Sequence, residues 1–414
     1  MKATFSEQQK RVLTLCVVLY TAAYICRLNL SAALGSVMAD LDLSMARGGM
    51  LQTLFAAIYA SGQFVNGAIV DRVNPAKYML IGLIGSAACN ITMGLSDSYA
   101  MLLAIWSLNA VFQSMMWTPV MRLLALYFLD APVRERANEA VALMLIVGHF
   151  IAWAVSGFVS AIAGWRYSFL VPGVLSAAAV ATMARTALTL DVGQQVIRKK
   201  ALIISKEPIM HTLLATGFFL VLATSVLYGF IRDSVITWTP TILLRQSNAV
   251  SGAAFTLILP AINFAGVLLG FRLRRRGARP HGVVAVMMIA AIICSVVLTK
   301  HLGMLATAVL LGMICAGMYG ANTMLTGLIP LEYDRVGRTS LTAGMIDSFI
   351  YLGSALSGAI AGSIYETLGA NMLYGSWMLA GGISVLLMMI SSRMSAVFWE
   401  KTICKRKEKG AEIP

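Results

Sequence analysis

The stretch VLTLCVVLYTAAYICRLNLSAALGSVM (12–38) is long enough to cross a bilayer and carries Arg27 near its middle. A second stretch, LLATGFFLVLATSVLYGFIRDSVITW (213–238), carries Arg232 at a matching depth about half a chain later. An arginine at the centre of a membrane helix costs about 2.5–3.5 kcal/mol even on the mildest scale, so it is rarely idle there. One such arginine in each half of the chain predicts a buried site for an anion.

The rest of the chain supports a membrane reading. It has 414 residues, 59% hydrophobic and only 12% charged, about half the charge of an average soluble domain. Apolar runs long enough to span a bilayer recur from end to end. Twelve are predicted, at 11–34, 48–70, 78–96, 99–127, 137–163, 165–188, 209–238, 249–271, 281–299, 301–328, 339–366 and 370–392. The first is too long to be the core of a cleavable signal.

The net charge of +14 is distributed as topology. One set of loops holds most of the basic residues, including Lys10, Arg72, Lys77, Arg134, Arg136 and the run RLRRRGAR (272–279). The alternate loops hold only Arg47, Arg166, Arg245 and Lys300. Positive charge gathers on the cytoplasmic side, so an integral plasma-membrane protein with both termini cytoplasmic is predicted. Twelve spans are needed for that alternation to stay in phase, so the charges support the count independently of hydropathy. The basic runs therefore read as topology and lipid-headgroup contact, not nucleic-acid binding. Cys16, Cys26, Cys89, Cys294 and Cys315 fall within predicted spans and Cys404 in a basic tail, with no Cys/His cluster to hold a metal. No cofactor is expected, and no nucleotide loop or nucleophile constellation points to an enzyme.

The longest polar connection, 189–208, divides the chain into a six-helix half at 1–188 and another at 209–392, followed by a basic cytoplasmic tail at 393–414. The predicted fold class is all-α integral membrane: twelve helices in two six-helix halves related by a pseudo-two-fold axis, the outline of the major facilitator fold, with substrate at mid-depth. Gly67, at the end of the second span, and Asp71, Arg72, Asn74, Pro75 and Lys77 after it match that fold's loop signature G-x-x-x-D-R-x-N-P-x-K. Its expected role is gating, with Arg122 as a candidate partner for Asp71.

Few ionisable residues lie deep in a span: Arg27, His149, Arg232, Asp233 and Asp347. Arginine suits an anion site because its charge is permanent and its planar fork matches phosphate or carboxylate. Asp233 reduces the local field of Arg232, although adjacent side chains point about 100° apart on a helix and need not meet. Two arginines facing an empty site repel, and a bound dianion relieves that repulsion, which gives exchange a physical basis. His149 reads either as a packed polar group or as a group sharing a proton with phosphate, whose second pKa of about 6 lies near its own. Tyr24 and Tyr20 precede Arg27 by one and two turns, and Tyr228 precedes Arg232 by one. Trp117, Tyr319 and Tyr351 lie in polar-interrupted membrane stretches and read as pocket or as packing. Asp347 is open between a specificity role, a proton site and a counter-charge.

At these residues the chain resembles the organophosphate:phosphate antiporter family, to which glycerol-3-phosphate and hexose-phosphate transporters belong. YTAAYICRLNLS (20–31) looks like its first helix, GAIVDRVNPAK (67–77) like its loop, SMMWTPVMR (114–122) like its fourth helix and GHFIAWAVSG (148–157) like its fifth. IRDSVITWTPTIL (231–243) is similar to its seventh, and MYGANTMLTGLIPLE (318–332) and IYLGS (350–354) align Tyr319 and Tyr351 with pocket tyrosines. The resemblance implies exchange of inorganic phosphate for an organophosphate by rocking of two halves, in a fold that works as a monomer. It carries Arg27, Arg232, His149, Tyr20, Tyr24, Trp117, Tyr319 and Tyr351 onto substrate-binding positions. The departures fall on the organic part: Leu28 and Gln63 stand where some members have lysine, and Gly229 stands where the tyrosine is shifted by one. Two other readings stay open. One is a proton-coupled symporter of a carboxylate or sugar acid, using Asp233 or Asp347. The other is a transporter-like membrane sensor of phosphate esters.

Overall fold

The structure is a computed structural model that describes residues 5–200, 208–244, 249–300 and 302–408. Several side chains inside its helices, including His149 and all of 249–261, lie outside that description. In chain order the helices are α1 Glu7–Asp40, α2 Met45–Val70, α3 Pro75–Gly94, α4 Tyr99–Ser114, α5 Trp117–Tyr127, α6 Ala131–Ala163, α7 Tyr167–Thr189 and the short α8 Val192–Lys200. There follow α9 Ile209–Ala215, α10 Phe218–Leu244, α11 Ala249–Arg275, α12 Pro280–Leu298 and α13 Met304–Asn322. A π-helical turn Thr323–Leu328, α14 Ile329–Glu332 and a 3-10 turn Tyr333–Val336 lead into α15 Thr339–Leu368 and α16 Ala370–Glu408.

Among the described residues, ten spans are long and apolar enough to cross a membrane. Helices α6 and α11, 33 and 27 residues long, stand at the predicted fifth and eighth spans, which completes a twelve-helix architecture. The fourth span is two helices, α4 and α5. Pro119 has no N–H for the carbonyl of Met115, and the chain tightens there, with Met115 N–H bonded to Phe112 O at 3.1 Å. The tenth instead widens into the π-helical turn ahead of Pro330, with Ile329 N–H bonded to Met324 O. The segment 393–408, the start of the expected basic tail, is helical and continues α16. Its Trp399 packs edge-on to Tyr333 at 6.1 Å and under the Arg335 guanidinium at 5.2 Å. Residues 201–207 of the predicted linker and 409–414 of the predicted tail lie outside the described residues.

The chain forms two compact units, Met1–Lys199 with Thr339–Gly344, and Lys200–Arg338 with Met345–Pro414. Within the first, α1 packs on α6 and α7, α3 on α7 and α4, and α2 on α4. Within the second, α10 packs on α16, α12 on α16 and α13, and α11 on α13. Numbering spans within each half, both units repeat the pairs one–six, two–four, three–four and three–six. Arg27 and Arg232 therefore occupy corresponding first helices of a repeated internal arrangement.

Loop chemistry sets the helix entries. Asn74 caps α3 through its Oδ1, which accepts from Ala76 N–H at 3.0 Å and Lys77 N–H at 3.2 Å, and Pro75 starts the helix where its missing N–H costs nothing. Arg122 Nη1 lies 3.6 Å from Asp71 Oδ1, both side chains largely buried. A Cβ on Gly67 would come 2.9 Å from Ser340 O, in the same unit, so only glycine permits that approach. Arg72 and Lys77 are exposed.

Candidate functional site

Helix α1 places Arg27 with its guanidinium 4.5 Å above the ring of Tyr24 and 5.2 Å from the ring of Tyr59 on α2. Tyr24 meets Tyr20 edge-on at 5.2 Å, and Tyr20 lies 5.4 Å from Trp117. The four predicted residues thus form one ladder, cation to ring to ring to ring. A guanidinium over an aromatic face is held by the ring quadrupole, worth about 2 kcal/mol or more when desolvated. Tyr59 was not among the predicted residues. Its OH accepts a 2.6 Å hydrogen bond from Gln63 Nε2, one turn on. Gln63 Oε1 and Trp117 Nε1 are buried without a protein hydrogen-bond partner among the described residues.

Behind this ladder a buried network of uncharged side chains grips α1. Asn90 Nδ2 and Asn109 Nδ2 donate to Cys26 O at 2.9 and 3.1 Å, Gln113 Nε2 to Ala23 O at 2.9 Å, and Ser176 Oγ to Ala22 O at 3.2 Å. Asn29 Nδ2 donates to Asn90 Oδ1 at 2.7 Å and to Ser168 O at 3.0 Å. Ser168 O is spared a helical partner because Pro172, four residues on, has no N–H. Ser86 Oγ links Gln113 to Asn109 at 2.7 and 2.6 Å. The donors from Asn90, Asn109, Gln113 and Ser176 fix the α1 carbonyls of Ala22, Ala23 and Cys26, in the turn just before Arg27.

In the second unit, α10 places Arg232 with its guanidinium 5.5 Å from the Tyr228 ring and 6.0 Å from Tyr351 on α15. Here the expectation that adjacent side chains need not meet is corrected. Arg232 Nε donates to Asp233 Oδ1 at 2.6 Å and Nη2 to Oδ2 at 3.2 Å. The three-methylene stem of arginine is long enough to fold across the angular offset. Arg232 is therefore charge-balanced by its neighbour, which weakens repulsion as a reason for the empty site to stay open. Nη2 also donates to Ser354 Oγ at 3.1 Å, a partner the sequence reading did not single out. The Tyr228 hydroxyl shares its one proton between Met318 O at 3.0 Å and Asn322 Oδ1 at 3.2 Å, fixing the ring beneath the guanidinium.

Asp347 and Tyr351, one turn apart, share the α15 face that presents Ser354. Asp347 is buried; Tyr319 is half-buried on α13. The backbone of His149 lies in α6, and its side chain lies outside the described residues. Among the described residues no group of three or more His, Cys, Asp or Glu is placed to hold a metal.

A family model described as Major Facilitator Superfamily matches residues 15–358. The chain belongs to that superfamily. A probable hexose phosphate transport protein of Chlamydia pneumoniae is 30% identical over 158 residues, covering 38% of this chain and 34% of that protein. The membrane sensor protein UhpC of Escherichia coli is 31% identical over 161 residues, covering 38% of this chain and 36% of that protein. The chain thus spans about a third of the length of these curated relatives. The E. coli fucose:proton symporter FucP shares the fold, with a TM-score of 0.71 at 14% identity over 93% of this chain and 99% of that one.

Proposed function

We propose that the chain is a secondary transporter of the plasma membrane that exchanges a small organophosphate for inorganic phosphate by alternating access, working as a monomer with both termini cytoplasmic. The observation that carries this reading is the repeated element: in each unit an arginine of the first helix lies over a tyrosine of the preceding turn, 4.5 Å from Tyr24 and 5.5 Å from Tyr228. A permanent cation held by rings presents hydrogen-bond donors to an anion. Such a cation suits a phosphate group, which accepts several charge-assisted bonds at once. Gln63 Oε1 and Trp117 Nε1 offer an acceptor and a donor for hydroxyls of the organic part, since buried polar atoms are normally satisfied. The hexose phosphate transport protein of Chlamydia pneumoniae supports phosphate esters as the substrate class.

Replacement of either arginine tests the reading. Arg27→Ala and Arg232→Ala are each expected to abolish phosphate uptake while the protein remains folded in the membrane. Arg27→Lys should also fail, because a point charge does not replace the fork. Uptake at the wild-type rate in either alanine variant would show that arginine to be dispensable and defeat the reading. A second reading, a membrane sensor of phosphate esters, is favoured by the similarity to UhpC. It predicts ligand binding with negligible flux.

A further inference from the structure

We propose that Asp233 is an internal competitor of the transported anion for Arg232, closing that half of the site until substrate displaces it. The proposal rests on the anion-binding reading of Arg232. Asp233 takes the Nε–Nη2 edge of the guanidinium with both carboxylate oxygens, at 2.6 and 3.2 Å. That two-pronged geometry is the one a phosphate or a substrate carboxylate would adopt on the same edge. The pair joins consecutive residues of one helix. It ties no two elements together, so it contributes nothing to the packing of α10. What it does is occupy the fork and cancel its charge.

The guanidinium, by contrast, is anchored across elements. Ser354 Oγ accepts from Nη2 at 3.1 Å while donating to Ile350 O at 3.0 Å, so its lone pairs are directed to the arginine. Glycines enforce the approach of α10 to α15: a Cβ on Gly229 would overlap Ile350 O, and one on Gly353 would overlap Val226 O. Arg232 is thus held in place, and Asp233, with two side-chain torsions and a 30% exposed side chain, is the partner free to swing away. An anion arriving with Asp233 still engaged meets a like charge within a few ångströms, in a setting where water screens it weakly. The carboxylate must leave first, so the empty protein binds anions through only the fraction of molecules in which it has left.

The test is binding of inorganic phosphate to the full-length purified protein, comparing wild type, Asp233→Asn, Arg232→Ala and the double variant. If Asp233 is engaged in about four-fifths or more of empty molecules, its removal tightens the apparent Kd about fivefold or more. Asp233→Asn should show that gain, and Asp233→Ser should repeat it should the amide variant fold poorly. The gain should vanish in the Arg232→Ala background, which a general effect on folding would not do. Unchanged or weaker binding in Asp233→Asn, with binding lost in Arg232→Ala, overturns the competition and leaves the anion site standing. A gain that persists without Arg232 also overturns it. Wild-type binding in Arg232→Ala defeats the anion-site reading itself.

Discussion

Enlarging Gly229 by one methyl tests whether the α10–α15 crossing holds Arg232 where the anion needs it. A Cβ there overlaps the carbonyl oxygen of Ile350 and lies 3.1 Å from Ser354 N. Both obstacles are backbone, so no rotamer change relieves them and the two helices must part. Restoring a carbon–oxygen distance of 3.0 Å, the closest that real Cβ atoms approach, needs a separation of roughly 1 Å. The 3.1 Å bond from Arg232 Nη2 to Ser354 Oγ then stretches beyond about 3.5 Å and ceases to be a hydrogen bond. Overpacking of this kind costs about 1–3 kcal/mol, offset by up to ~1 kcal/mol because alanine favours a helix over glycine. The net penalty leaves the fold intact. The loss of a hydrogen bond to a charged group, about 1.5 kcal/mol or more, should weaken phosphate binding about tenfold. Titration of phosphate into purified Gly229→Ala, with monodispersity checked alongside, reads this directly. Wild-type affinity in a monodisperse variant would refute the reasoning that the crossing positions Arg232.

Two further outcomes follow from the first unit. Asn90→Leu removes three hydrogen bonds, to Cys26 O, Ser86 O and Asn29 Nδ2. At about 0.6 kcal/mol each within a membrane bundle, the variant should lose about 2 kcal/mol of unfolding free energy in bicelles and bind phosphate more weakly. Stability equal to wild type would show that the network is dispensable. At the loop end of α1, Asp40 Oδ2 accepts from Trp165 Nε1 at 3.0 Å and Arg166 Nη1 at 2.9 Å, and Arg166 also pairs with Asp97. The Trp165 hydrogen bond, followed by Arg166, holds the Asp40 carboxyl below its ordinary range. A depressed folded value means the stabilisation is present above the unfolded pKa of about 3.9 and is lost as pH falls through the folded value. The thermal midpoint of wild type should therefore drop on acidification below about pH 4 more steeply than that of Asp40→Asn. Parallel curves would assign Asp40 no such role.

The helical spans were legible because an apolar run of about 20 residues has one physical outlet, a helix across a bilayer. Arg27, Tyr20, Tyr24 and Trp117 were legible together because helical spacing puts the tyrosines on the arginine's face and the fourth-span motif marks the tryptophan. Tyr59 was not, since an aromatic residue in a span with no charge beside it looks like packing. The amides Asn90, Asn109 and Gln113 that grip α1 were not legible, because an uncharged amide in a span carries no signal that separates it from packing. The pairing of Arg232 with Asp233 depends on a side-chain torsion, which spacing along a helix does not specify. The extension of α16 to Glu408 was hidden by the charges of Lys401, Lys405 and Lys407.

The central claim is exchange of phosphate that needs both arginines, and counterflow tests it most directly. Purified protein is reconstituted into vesicles loaded with unlabelled phosphate, with no gradient of pH or voltage, and labelled phosphate is added outside. The account predicts rapid label accumulation that requires internal phosphate, is competed by external phosphate esters, and is absent from Arg27→Ala vesicles. Label uptake into phosphate-free vesicles driven by an imposed proton gradient, or no uptake by folded wild-type protein, would contradict it.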